Sequence, residues 1–145
     1  MTVYETIVYP TDGSEPARAA FEHALEFARQ FDATLHVVYV LKANEPPPGV
    51  EDSTTAPDPD TGGTAAVEDA VREAAGSGIE TVEAILRGPT AQAILTYVEE
   101  KEADLVVMGT HGRIGLDRLV IGSVADEVIR EAGVPVVVYR GSVDA

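Results

Sequence analysis

The chain has 145 residues, 45% of them hydrophobic, which predicts one globular domain with a substantial buried core. Its formal net charge of −15, from 25 acidic and 10 basic residues, argues against binding to nucleic acid or to an anionic membrane. The lack of cysteine excludes disulfides, thiol catalysis and cysteine-ligated metals. Because no apolar run approaches the roughly 20 residues of a membrane span and the start lacks a secretory signal, we expect a soluble, cytoplasmic protein.

The excess of acid also bears on the conditions in which the chain folds. Repulsion among the carboxylates should destabilise the compact state at low salt, whereas salt near 1 M shrinks the Debye length to about 3 Å. A halophilic source is therefore one hypothesis. An ordinary acidic cytosolic protein is the alternative.

The first half of the chain predicts two strands that flank a helix. Thr6 to Tyr9 read as a short buried strand that Pro10 ends, and the turn from Thr11 to Ser14 leads into the helix. Leu35 to Leu41 are apolar enough for a strand inside a sheet. The intervening helix has an apolar stripe at helical spacing, formed by Ala17, Phe21, Ala24, Ala28 and Phe31.

A change of composition separates the second strand from the next helix. Residues Lys42 to Thr64 include five prolines and no base after Lys42, so we expect a long, mobile, solvated connection. A helix is predicted over Ala65 to Ala75, followed by a strand over Ile79 to Leu86 whose alternating pattern indicates a sheet edge. Arg87 to Thr90 then form a turn into the third helix.

The remaining elements complete the same alternation of strand and helix. The third helix has inward apolar positions at Ala91, Ile94, Leu95 and Val98. Leu105 to Met108 form the fourth strand, the last helix stops at Gly133, and Val136 to Tyr139 form a terminal edge strand.

Strands that alternate with helices require a parallel sheet with right-handed crossovers. We predict a single doubly wound α/β domain over residues 1–145, with five parallel strands in the order 3-2-1-4-5 and helices on both faces. Ligands bind such sheets beyond the carboxyl ends of the strands, where the strand order reverses. Asp12, after the first strand, and the loop after the fourth strand should therefore converge on one crevice.

The loop after the fourth strand has a pattern suited to phosphate. Glycine at 109, 112, 115 and 122 would let the main chain approach a ligand, and Ser123 begins a helix whose free N–H groups carry partial positive charge. Ser123 could donate to a phosphate or serve as the helix N-cap. The loop also contains Arg113 and Arg118 against one acid, Asp117, although solvated arginines are an equally open interpretation.

Two other nucleotide patterns do not fit. A P-loop would need lysine before Ser123, where the chain has Gly122 preceded by Ile121. A dinucleotide fingerprint would need its glycines directly after the first strand, which instead leads into Thr11 and Asp12.

The spacing of Gly109, two residues, Gly112, nine residues, Gly122 and Ser123 resembles the ATP-binding signature of the universal stress protein family. The stretch ETIVYPTDGSEPARAAFEHALEFA is similar to that family's first strand and helix, and GVPVVVYR to its last strand. Residues from about Lys42 to Gly63 match nothing characteristic of the family.

The resemblance implies an adenine nucleotide site for ATP, AMP or ADP, accompanied by Mg²⁺ or Mn²⁺. Pro10, Thr11 and Asp12 would form a nucleotide-contacting turn, with Asp12 near the ribose or the phosphate and metal region. The main chain near Val37 would read the adenine edge. Gly109, Gly112, Gly122, Ser123 and Val124 would hold the phosphates, and Met108 and Arg113 are further candidate cofactor-binding residues.

Other implied features are less specific. Arg87 is a weak phosphate candidate, and the last strand, Val136 to Tyr139, would pair two subunits into an isologous homodimer. From the residues alone, Asp12 could equally form an Asx-turn or cap a helix.

The three histidines have no recognisable catalytic partners. His36 is expected to be a packed or hydrogen-bonded strand residue, and His23 a solvated one. His111 could approach a phosphate or lie at the loop tip.

Three functions remain open at this point. The leading interpretation is an ATP-binding stress-response protein that uses the nucleotide as ligand or switch. Slow ATP hydrolysis would need a base and a charge stabiliser, for which Asp12 and Arg113 are the candidates. A nucleotide-free interaction module is the third, and fold alone does not separate them.

Overall fold

The structure is a computed structural model that describes residues 4–12, 15–42, 61–109 and 123–139. Strands and helices alternate through these residues as the sequence predicts. In chain order they are β1 (Thr6–Pro10), α1 (Glu15–Phe31), β2 (Thr34–Lys42), α2 (Thr61–Gly76), β3 (Thr81–Gly88), α3 (Thr90–Glu100), β4 (Leu105–Gly109), α4 (Ser123–Glu131) and β5 (Val136–Tyr139).

The strands form one parallel sheet in the order β3-β2-β1-β4-β5, which confirms the predicted order. Helices α1 and α2 supply the apolar cluster on one face, and α3 and α4 supply the cluster on the other. Burial on both faces explains the unbroken apolar runs in β1, β2 and β4. Ile7 and Tyr9 of β1 belong to the first cluster, and Val8 belongs to the second.

Most boundaries lie within two residues of the predicted ones, and the starts of α2 and β3 differ by two residues or more. Helix α2 begins at Thr61, four residues before Ala65, in the part of the predicted connection that contains two glycines. Glycine lowers helix propensity by about 1 kcal/mol, which is why the pattern gave no helix signal there. The rest of that connection, residues 43–60, lies outside the described residues.

Strand β3 begins at Thr81, two residues after the predicted start at Ile79. The N–H of Ile79 instead donates to the Ala74 carbonyl oxygen at 3.1 Å and closes the end of α2. Gly78 makes this possible because its φ of +84° lies in the left-handed region that glycine tolerates.

A side chain anchors β4 to β1 at the amino ends of the strands. Asp104 Oδ2 accepts hydrogen bonds from the main-chain N–H groups of Glu5 at 2.9 Å and Thr6 at 3.0 Å. The Asp104 N–H in turn donates to the Thr6 carbonyl oxygen at 2.8 Å. This carboxylate therefore sets the register at which the two central strands enter the sheet.

A buried polar pair, formed by His36 and Tyr97 of the second cluster, joins β2 to α3. His36 is 9% exposed, and its Nδ1 lies 2.7 Å from the Tyr97 hydroxyl. His36 is thus a packed, hydrogen-bonded strand residue, as predicted. Tyr97 was not among the predicted inward positions, whereas Leu95, which was, is only partly buried. Burial lowers the pKa of His36, and the Lys101 ammonium lowers it further.

We expect Asp104→Ala to lower the free energy of unfolding by about 1–2 kcal/mol, because two main-chain donors lose a charged acceptor. Guanidinium denaturation measures the change. Glu99→Ala, which removes the same charge at an exposed helical position, should stay within about 0.5 kcal/mol of the parent. Equal effects of the two substitutions would contradict the anchoring role.

The lowered pKa of His36 gives a testable pH dependence. The unfolded chain protonates this histidine near its ordinary value of 6.5, before the folded chain does, so stability falls as pH drops below that value. His36→Asn should lose less unfolding free energy between about pH 7 and pH 5 than the parent. Tyr97→Phe keeps the histidine and should keep the pH dependence. If all three proteins lost the same unfolding free energy over this pH range, His36 would not contribute to the pH dependence.

Candidate nucleotide site

The carboxyl ends of β1 and β4 lie side by side at the point where the strand order reverses. Their ladder pairs Ile7 with Leu105 and Val8 with Val106. Pro10 follows at the end of β1, where it still pairs with Val38 of β2 but has no N–H to donate on the β4 side. An opening between two parallel strands at this edge is the usual ligand position in a doubly wound sheet.

The turn after β1 is fixed by a main-chain hydrogen bond to β2, which borders β1 on the side away from β4. The Thr11 N–H donates to the Val38 carbonyl oxygen at 2.8 Å, and Thr11 is 7% exposed. Asp12 follows as an exposed residue. The carboxylate predicted to contact a nucleotide therefore lies at the rim of the opening, and its neighbour is held in the sheet.

Tyr9 supports this turn by binding the start of α1. Its hydroxyl donates to the Ala17 carbonyl oxygen at 2.5 Å in the first turns of α1, and its ring lies 5.3 Å from that of Phe21. Burial raises the pKa of Tyr9 to about 12, so the hydroxyl remains a donor at neutral pH. The sequence reasoning missed this role. A tyrosine in a buried strand was its signal, because such a hydroxyl needs a partner.

The other side of the opening is formed by β4 and α4. Met108 is 4% exposed and Gly109 is the last residue of β4. Because β4 and β5 are parallel, α4 must run back between them, so its amino end lies at the same edge as Gly109. Val124, in the first turn of α4, packs against the cluster that contains Met108.

The amino end of α4 is suited to an anion. Its first N–H groups have no partner within the helix and carry a partial positive charge. Ser123 is the first residue of α4, and Asp126 is the acid of the first turn. Asp126 is paired with Arg130 at 3.2 Å, and this pairing offsets the negative charge near the helix start.

Val37, predicted to read adenine, lies inside the sheet. It is fully buried and pairs with Tyr9 of β1 and Glu83 of β3. Alternate residues of a parallel strand direct their N–H and C=O groups to the same neighbour, and Val38 directs its carbonyl to β1. Val40 has the same orientation, beyond the last residue of β2 that pairs with β1.

The structure brings Pro10, Thr11 and Asp12 together with Met108, Gly109 and the start of α4 at Ser123 and Val124. Arg87, the residue before the last of β3, is two strands away from β1, which is about 10 Å at ordinary strand spacing. Gly112, Arg113, Gly122 and His111 lie outside the described residues. In the described part of the chain, no group of three or more His, Cys, Asp or Glu could hold a metal ion.

Across the described residues, none of the helices combines the length and the apolar character needed to cross a membrane.

Comparison with known proteins gives a consistent result. The model of the universal stress protein family matches residues 3–140. Universal stress protein MJ0531 from Methanocaldococcus jannaschii is 35% identical over 142 residues, which cover 95% of this chain and 83% of that protein.

Two solved structures share the fold. Universal stress protein UspA from Lactobacillus plantarum superposes with a TM-score of 0.78 at 27% identity, covering 97% of this chain and 100% of that one. The universal stress protein from Archaeoglobus fulgidus in complex with dAMP gives a TM-score of 0.67 at 26% identity, covering 95% and 99%. From the matched residues, the relative and the shared five-stranded fold, we conclude that this chain belongs to the universal stress protein family.

Proposed function

We propose that this chain is a cytoplasmic ATP-binding protein that uses the nucleotide as a ligand or switch in a stress response. The observation that carries the proposal is the opening between β1 and β4, with Asp12 on one side and the start of α4 on the other. The glycine signature of the sequence joins those two sides. A family member similar to this chain is known in complex with dAMP, an adenine nucleotide.

The two sides of the opening suit different parts of a nucleotide. The Asp12 carboxylate is a hydrogen-bond acceptor and would take the ribose hydroxyls. The phosphates would bind the N–H groups of Ser123 and Val124, with Gly112, Gly122 and Arg113 completing the loop. Mg²⁺ or Mn²⁺ would then be held chiefly by phosphate oxygens and water, as is usual for Mg²⁺ in nucleotide sites.

The adenine edge can be read by main chain alone. Adenine offers a donor and an acceptor side by side, which match one C=O and one N–H group of a strand. Val40 directs its N–H and C=O groups to the β1 side of β2, at a level of the sheet that β1 no longer reaches. Val37 instead directs its groups to β3. We therefore place the base at the main chain of Val40, three residues after the position implied by the family resemblance.

The net charge of −15 supports a further part of the proposal, that the protein works at high salt. A triphosphate adds negative charge to a chain that already repels anions. Molar salt shortens the range of that repulsion to about 3 Å, while contacts within the site remain. Nucleotide binding should therefore be measured in molar KCl.

The β5 edge supports a homodimer. All four residues of β5 are partly buried, and the ring of Tyr139 lies 4.9 Å from that of His23 on α1. The Pro135 carbonyl oxygen accepts from the Val106 N–H, so the main chains of Val136 and Val138 face away from β4. Pairing of two such edges would use these groups and bury the strand.

Melting temperature in molar KCl, with and without Mg-ATP, tests the nucleotide proposal. ATP at about 100 times its dissociation constant should stabilise the chain by about 2.7 kcal/mol and raise the melting temperature by several degrees. Gly122→Val should fold but lose that shift, because a side chain would obstruct the phosphate loop. Glu99→Ala should keep it. The absence of a shift in the parent chain would favour the nucleotide-free module.

Sedimentation velocity in molar KCl tests the dimer. The chain of 15.3 kDa should sediment as a dimer of twice that mass, and Val138→Pro should sediment as a monomer because it removes an outward N–H. Val138→Thr keeps that N–H and should remain dimeric. A monomeric parent chain, or a dimeric Val138→Pro protein, would contradict pairing through β5.

A further inference from the structure

The opposite edge of the sheet is longer and more accessible. Strand β3 has eight residues, pairs with β2 on one side and ends the order of the sheet on the other. The Leu35 N–H donates to the Glu80 carbonyl oxygen, which fixes the orientation of the strand. By alternation, Thr81, Glu83, Ile85 and Arg87 direct their N–H and C=O groups away from β2.

The side chains of this edge are unusually apolar for an exposed strand. Val82 is 37% exposed and Ile85 is 41% exposed. Edge strands are ordinarily protected by proline, by charged side chains such as lysine, by a bulge or by short length. Strand β3 has no proline, its register with β2 is continuous from Thr81 to Gly88, and its charged residues are Glu83 and Arg87. Such an edge is a template for pairing with another extended segment.

A groove runs beside the same edge on the α3 face. It has a volume of about 320 Å³, and its apolar lining comes from Leu86 of β3, Pro89 before α3, and Ala93 and Tyr97 of α3. Because side chains on one face of a strand recur every second residue, a segment paired with β3 would direct alternate side chains towards this groove. Edge and groove together match strand addition, in which main chain supplies affinity and pockets supply specificity.

Charge selects among possible occupants. Residues 80–102 contain the acids Glu80, Glu83, Glu99, Glu100 and Glu102 against the bases Arg87 and Lys101. All seven are exposed, Glu100 and Arg87 both line the groove, and the acids of this region outnumber the bases by three. A second copy of a chain with a net charge of −15 would be repelled, whereas a basic segment would be attracted.

We propose that the β3 edge binds an extended basic segment of a partner protein. The segment pairs its main chain with Glu83 and Ile85 and places an apolar side chain in the groove between β3 and α3. This surface lies at the sheet edge remote from β5, so it remains available in the dimer described above.

The first test uses the full-length chain and a fluorescent heptapeptide that alternates lysine and valine. Fluorescence anisotropy in about 0.1 M KCl, where the Debye length is about 10 Å, should show saturable binding that weakens in about 1 M KCl. A peptide N-methylated at every amide should bind at least tenfold more weakly, because neither of its edges keeps an N–H group to pair with the strand. A peptide with glutamate in place of lysine should also bind at least tenfold more weakly.

The second test alters the edge itself. Ile85→Pro removes an outward N–H that takes no part in pairing with β2 and should weaken the lysine peptide at least tenfold, whereas Ile85→Thr keeps that N–H and should bind nearly as the parent does. Circular dichroism establishes that each variant is folded. If Ile85→Pro does not fold, the N-methylated peptide still decides the question with the parent chain.

Three results would overturn the proposal. One is no saturable binding of the lysine peptide, and another is equal binding of its N-methylated form. The third is self-association of the parent chain that Ile85→Pro abolishes, because this would assign the edge to a second copy.

Discussion

Pro10 lacks an N–H group, and the geometry of the candidate site follows from where that residue stands. It is the last residue of the central strand β1, still paired with Val38 of β2 but unable to donate to β4. Thr11 returns to the β2 side through its N–H, and Tyr9 holds the start of α1 beneath the turn. The end of β1 is therefore bonded on its β2 side and open on its β4 side, at the point where the strand order reverses.

The two ends of the same pair of central strands serve different purposes. At the amino ends, the Asp104 carboxylate replaces a main-chain acceptor and joins β1 to β4. At the carboxyl ends, the β1–β4 ladder has stopped, an exposed acid, Asp12, follows β1, and α4 begins at the same edge of the sheet. Fixed pairing at the amino ends and an opening at the carboxyl ends can hold a ligand without weakening the core, because the buried strands are packed on both faces.

Much of the fold follows from the sequence because its signals are local. Unbroken apolar runs marked the buried strands, and the alternation of strands with helices required a parallel sheet whose order the structure confirms. The missed features depend on partners distant in sequence. Asp104 acts on Glu5 and Thr6, and His36 on Tyr97, and no spacing pattern identifies such pairs. Similarly, the sequence does not indicate which neighbouring strand the main chain of Val37 faces. Only the register of β2 shows that it faces β3.

We propose that the ends of β1 and β4 and the start of α4 form one adenine nucleotide site. Amide chemical shifts of the isotope-labelled chain, recorded in molar KCl during titration with AMP, test it most directly. We expect saturable shifts at Thr11, Asp12, Gly109 and Val124, together with Val40 if the base lies against β2. Saturable shifts confined to β3 and α3, or to the amino ends near Asp104, would place the ligand elsewhere and contradict this site.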